Sequence, residues 1–155
     1  MMYRKTVAEI NLENLYQNYL NVLEKTNGKK VIPVVKANAY GHGAKQVVDY
    51  LVNKGVDYYA VSMVEEALEL RENHKDIDIL IMGVTHKEDL CDCANNNFTV
   101  TISNMDQIDS LMELDRELKV HIKIDTGMNR LGFKSDMEIN DAISFLKEHH
   151  YINLV

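Results

Sequence analysis

Lys36 closes the apolar run Val31-Ile32-Pro33-Val34-Val35 and is followed by Ala37-Asn38-Ala39-Tyr40-Gly41-His42-Gly43. Ending a buried strand on a positive charge is costly unless the charge is neutralised, and condensation of the amine with an aldehyde cofactor removes it. An arbitrary lysine in such a place would snorkel to solvent. The neighbours favour the chemical reading: Tyr40 brings a phenol able to reach a phosphate oxygen, while Gly41 and Gly43 let the backbone approach a ligand closely. His42 suits either a phosphate contact or the cap of the helix it precedes.

A second cluster spans His121-Ile122-Lys123-Ile124-Asp125-Thr126-Gly127-Met128-Asn129-Arg130-Leu131-Gly132-Phe133. Along a strand of period two, Ile122 and Ile124 face one side while His121, Lys123 and Asp125 face the other. Arg130, in the glycine-bounded loop that follows, carries a planar five-donor fork suited to carboxylates and phenolates. Taken alone, Asp125 and Arg130 could equally form an ion pair that pins the loop. Both clusters fall at the C-terminal ends of apolar runs, where ligands gather in parallel α/β sheets because loops and helix N-termini converge there.

Other ionisable residues offer less. Glu65-Glu66-Ala67-Leu68-Glu69-Leu70-Arg71-Glu72 has carboxylates at helical spacing and reads as the solvated face of a helix. His86, His149 and His150 show no metal-ligand spacing, and no H-E-x-x-H or phosphate-loop pattern occurs, so no metal is expected. Cys91 and Cys93 form a C-x-C pair without redox or zinc spacing, which points to reduced thiols in a cytoplasmic protein.

The elements that must position these residues alternate. Apolar runs at 31–36, 57–62, 77–83, 98–103, 119–125 and 151–155 read as strands that begin roughly 20 to 33 residues apart, the repeat of βα units. Pro33 weakens the start of the first. Between them, Leu12, Leu15, Tyr19, Leu20 and Leu23 recur at helical spacing, as do Met105, Ile108, Leu111 and Met112, and Ile139, Ala142, Ile143 and Leu146. Asn104 and Ser135 stand where N-caps would.

The chain has 155 residues, 46% hydrophobic and 26% charged, enough for one sizeable core. Its formal charge of -7 is spread without a basic cluster, so nucleic acid is disfavoured as a partner, and no uncharged run is long enough for a membrane span. An α/β fold follows, either an open doubly wound sheet or a (β/α)8 TIM barrel. A barrel needs about 250 residues, so the chain reads as the first part of a longer protein that stops near its sixth strand.

At Val34-Val35-Lys36-Ala37-Asn38-Ala39-Tyr40-Gly41-His42-Gly43 and Lys123-Ile124-Asp125-Thr126-Gly127-Met128-Asn129-Arg130-Leu131-Gly132, the sequence resembles alanine racemase, a fold-type III enzyme that uses pyridoxal 5'-phosphate to interconvert L- and D-alanine. Thr6-Val7-Ala8-Glu9-Ile10-Asn11-Leu12 resembles that family's opening strand, so the likeness runs through essentially the whole chain. It implies that Lys36 forms the internal aldimine and is one of two catalytic bases, that Tyr40 hydrogen-bonds the cofactor phosphate, and that Arg130 lies beside the cofactor phenolate and the substrate carboxylate. It also matches Lys123 to a lysine that is often carbamylated.

The resemblance further implies an amino-acid substrate, a homodimer with shared active sites, and a role in supplying D-alanine for peptidoglycan precursors. Residues 1–10 would form a strand that pairs with a C-terminal β-domain, and residues 11–155 a partial barrel. The family's second base is a tyrosine of that β-domain, which the chain lacks, so the isolated chain is expected to be inactive or nearly so. Racemisation of another amino acid such as serine, and a non-catalytic barrel that binds pyridoxal phosphate, are the alternatives.

Overall fold

The computed structural model describes residues 6–155. Of the expected opening strand, residues 1–5 lie outside the described residues, and residues 6–10 are exposed and carry no strand pairing. Helix α1, Leu12–Lys25, starts at Asn11, whose side chain accepts from the Asn14 N–H, and packs Leu12, Leu15, Tyr16 and Tyr19 against the core. Helical spacing selects Leu12, Leu15 and Tyr19 among these, while Tyr16 joins them and Leu20 and Leu23 do not pack on the core.

Five strands form one parallel sheet: β1 Tyr58–Val61, β2 Asp78–Ile81, β3 Thr99–Ile102, β4 Leu118–Ile122 and β5 Ile152–Leu154. Each lies inside a run read as a strand from sequence, apart from β4, which begins one residue earlier. The strand order equals the chain order, β1-β2-β3-β4-β5. A doubly wound sheet needs a point where that order reverses. Its absence among the described residues leaves the winding of a barrel.

Helix α3 (Ala44–Val52) precedes β1, and between the strands run α4 (Val64–Asn73), α5 (Leu90–Asn95), α6 (Met105–Leu111) and α7 (Asp136–Glu148), with a 3-10 turn at Lys87–Asp89 before α5. Their apolar faces cover Ile79, Ile81, Val100, Ile102 and Val120, all buried in one core. Cys93 of α5 belongs to that core, and burial pushes its thiol up to about 12, so it behaves as a small hydrophobe. Cys91 and Cys93 are both free.

The first expected strand, 31–36, is reduced to one parallel bridge between Val34 and Ala60. The Ala60 N–H donates to the Pro33 carbonyl and the Val35 N–H to the Ala60 carbonyl, while Pro33 itself has no N–H to extend the ladder. Lys36 therefore does not close a strand. It opens the short segment α2, Lys36–Tyr40.

Register carries the side chains across the sheet. Val34 pairs with Ala60, Ala60 with Leu80, Leu80 with Thr99 and Thr99 with Lys119. Two residues further along each run, on the same face, stand Lys36, Ser62, Met82, Thr101 and His121.

Candidate active site

The segment after Lys36 is a left-handed turn, with positive φ at Ala37, Asn38, Ala39 and Tyr40, closed by Gly41 at φ 87°. Such a conformation costs about 1 kcal/mol or more at each residue that is not glycine. Hydrogen bonds hold it: Asn38 accepts from Gly43 N at 3.0 Å through its carbonyl and from Ala44 N at 2.7 Å through its side chain. The Asn38 side chain, not His42, thus satisfies the first N–H of α3, whose cap residue is Gly43. His42 turns its Nδ1–H back to the Ala39 carbonyl at 2.9 Å.

Glu66, on the run read from sequence as a solvated face, is tied to this turn. One carboxylate oxygen accepts from Ala37 N at 2.6 Å, and the other accepts from Ser62 N at 2.7 Å and Met63 N at 3.2 Å. Sequence reasoning missed this residue. Its only local signal is its place three residues after the helix cap Met63, where a carboxylate commonly bonds back to the chain.

At the other cluster, β4 ends at Ile122 and the chain leaves the ladder. Asp125 N donates to the Phe133 carbonyl and Phe133 N to the Lys123 carbonyl, each at 2.9 Å, so the loop closes on itself. Asp125 Oδ1 accepts from Gly127 N and Asn129 N, each at 3.0 Å, and these bonds hold its carboxyl below the usual carboxylate range. Asp125 and Arg130 form no ion pair. The carboxylate shapes the loop through backbone N–H groups and leaves the Arg130 guanidinium free of an anionic partner among the described residues.

Lys36, His121, Lys123, Asp125 and Arg130 line one pocket of about 530 Å³, together with Ser62, Met82 and Thr101. His121, Lys123 and Asp125 all reach the pocket as the period-two reading expects, but Ile122 and Ile124, read as facing away, line it too. Ile122 packs partly against the core, whereas Ile124, past the last paired residue of β4, is exposed and touches the pocket rim. Tyr40 is not among the lining side chains and is 63% exposed on the left-handed turn.

Burial pulls the His121 imidazole below its ordinary pKa of 6.5. The unfolded chain then binds the proton before the folded one, so this group leaves stability intact above 6.5 and lowers it as the pH falls through that range toward the depressed folded value. The urea midpoint should therefore drop on acidification from neutral pH, and drop less in His121→Gln. Parallel pH profiles for the two proteins would contradict the assignment.

Comparison with known proteins places this geometry. A profile described as the alanine racemase N-terminal domain matches residues 10–155. The chain is 44% identical over 151 residues to an alanine racemase of Streptococcus pyogenes, a match covering 94% of this chain and 41% of that protein. The crystal structure of alanine racemase from Oenococcus oeni superposes with a TM-score of 0.87 at 33% identity, over 95% of this chain and 43% of that one. A histidine racemase from Leuconostoc mesenteroides superposes at 0.86 with 28% identity, over 97% of this chain and 41% of its own. The chain thus spans about two fifths of the length of these relatives.

Proposed function

The chain belongs to the alanine racemase N-terminal domain family, and from that premise we propose that its pocket holds pyridoxal 5'-phosphate on Lys36 and serves the interconversion of L- and D-alanine. The observation that carries the reading is the convergence of Lys36, Lys123 and Arg130 on one pocket from opposite ends of the sequence. Its volume of about 530 Å³ lies within the range of small-molecule and cofactor sites. The donor set fits as well: the Lys36 amine and the Arg130 guanidinium, neither in an ion pair among the described residues, suit a ligand bearing an aldehyde and a phenolate.

Lys36 Nζ would anchor the cofactor and, as a free amine, would take or return the substrate proton on one face. When bound, the cofactor supplies an electron sink that makes the α-hydrogen of an attached amino acid acidic. Inversion at that carbon requires a second proton donor on the opposite face. The Arg130 fork would orient the substrate carboxylate, and the family likeness, not the pocket lining, supports Tyr40 as the phenol that would donate to the phosphate. Lys123, as a neutral amine, captures carbon dioxide with release of a proton, and the resulting carbamate pairs with Arg130. The likeness to the family extends the proposal to a cytoplasmic homodimer with shared sites.

A second reading, racemisation of another amino acid, is favoured by one finding, the likeness to a histidine racemase. The test begins with the spectrum. Added pyridoxal phosphate should give the visible absorbance of a lysine-bound cofactor, and Lys36→Ala should abolish it. An unchanged spectrum in that variant would refute Lys36 as the anchor. Assays of the whole protein on L-alanine, L-serine and L-histidine then separate the substrates.

A further inference from the structure

We propose that Glu66 is a positioning residue for Lys36: its carboxylate pins the Lys36–Ala37 peptide to the end of β1 and so fixes the direction in which Lys36 enters the pocket. The inference rests on the reading of Lys36 as the cofactor anchor. The bond from Ala37 N to Glu66 Oε1 is 2.6 Å long and spans 29 residues. Ala37 is the first residue of the left-handed turn, at φ 50°. Orienting its N–H sets the peptide plane shared with Lys36, and with it the backbone torsions on both sides.

Other helices of the chain show what an ordinary residue in the same position does. In α6, Gln107 lies three residues after the cap Asn104 and bonds back to Ser103 N at 2.9 Å, Ser103 Oγ at 2.8 Å and the Thr101 carbonyl at 3.3 Å. In α7, Glu138 lies three residues after the cap Ser135 and accepts from Ser135 N at 3.1 Å and Lys134 N at 3.2 Å. Both side chains serve only their own strand-to-helix junction. Glu66 does the same with Oε2, through Ser62 N and Met63 N, but Oε1 crosses to the neighbouring unit. Capping explains one oxygen and leaves the other to Lys36.

This division makes Glu66→Gln informative. An amide has one accepting oxygen and one donating NH2, so it cannot accept on both sides. Two N–H groups at the cap outbid one at Ala37, so the variant keeps the helix junction and loses the cross-link. We expect an unchanged urea midpoint, pyridoxal phosphate bound about tenfold more weakly by its visible absorbance, and faster amide exchange at Ala37. The double variant Met63→Ser/Glu66→Gln adds a side-chain cap that can reach only the helix, so it should hold the helix junction independently of residue 66 and leave cofactor binding weak.

Wild-type cofactor affinity in Glu66→Gln, or recovery of affinity in the double variant, would overturn the inference. Lys36→Ala separates the two levels of failure. If that variant keeps the visible band, the cofactor anchor is wrong. The positioning role is then judged on the ligand-free protein, by the rate at which Lys36 reacts with an amine-directed acylating reagent. That rate should change in Glu66→Gln, and an unchanged rate with unchanged Ala37 exchange would sink the role outright.

Discussion

Arg71→Met is expected to destabilise the chain by about 3 kcal/mol, read from urea denaturation followed by circular dichroism. Arg71 is only 7% exposed, at the last turn of α4. Its Nη1 donates to the carbonyls of His74 at 3.0 Å, Lys75 at 2.8 Å and Ile77 at 2.8 Å, closing the connection from α4 into β2. The guanidinium sits 5.2 Å from the centre of the Phe98 ring. Burial lowers its pKa, and Asp78 and Asp76 oppose that shift at longer range.

Methionine keeps most of the stem's volume and removes every donor, so three carbonyls lose their partner in a poorly hydrated place. Lysine retains one donating centre without the planar fork and should fall between the two. A methionine variant within about 0.5 kcal/mol of the parent would show that water replaces the guanidinium at little cost.

The second large effect is expected at Gly132. Its φ is 122°, and a Cβ there would stand 2.6 Å from Asp125 N, 2.8 Å from the Ile124 carbonyl carbon and 2.9 Å from the Lys123 carbonyl oxygen. All three are backbone atoms, which cannot swing aside as a side-chain tip can. Alanine must push Phe133 away from Lys123 and Asp125 and so break the two 2.9 Å bonds that close the loop. A loss of about 2 to 4 kcal/mol follows from the unfavourable φ and the clash together.

Exchange of the Asp125 and Phe133 amides should rise with that loss, because their bonds are the ones broken. Arg130, two residues before the glycine, would lose its fixed approach to the pocket. Alanine tolerated with both amides still protected would mean that the loop can reseat without the close contact.

The residues that meet in the pocket were legible because their signals are local. Period two alone places His121, Lys123 and Asp125 on one face, and Asn104 and Ser135 announce their helices by type and position. The left-handed turn was not legible. Of Ala37, Asn38, Ala39 and Tyr40, only asparagine is at home at positive φ, so nothing in their types contradicts a right-handed turn.

Glu66 was hidden for a different reason. Ser62 followed three residues later by Glu65 is the familiar pattern of a helix start. The helix begins one residue later, at Val64, and the acting carboxylate is Glu66. Its bond to Ala37 is a contact between separate βα units, which no local window can contain. Arg71 looked like one more charge in a solvated run, and only the fold shows that three carbonyls and an aromatic ring surround it.

A sheet whose spatial order repeats the chain order has a kinetic meaning. Each strand pairs with the one before it, so every docking step closes a local loop, the longest between β4 and β5, and the entropic costs differ little because they grow only with the logarithm of loop length. Growth can proceed from either end as a succession of nearest-neighbour additions, much as a solenoid propagates. Lys36 belongs to the first unit of that succession and Arg130 follows β4. The pocket between them is finished only when the intervening strands have docked, so the side chains of the proposed site meet late in assembly.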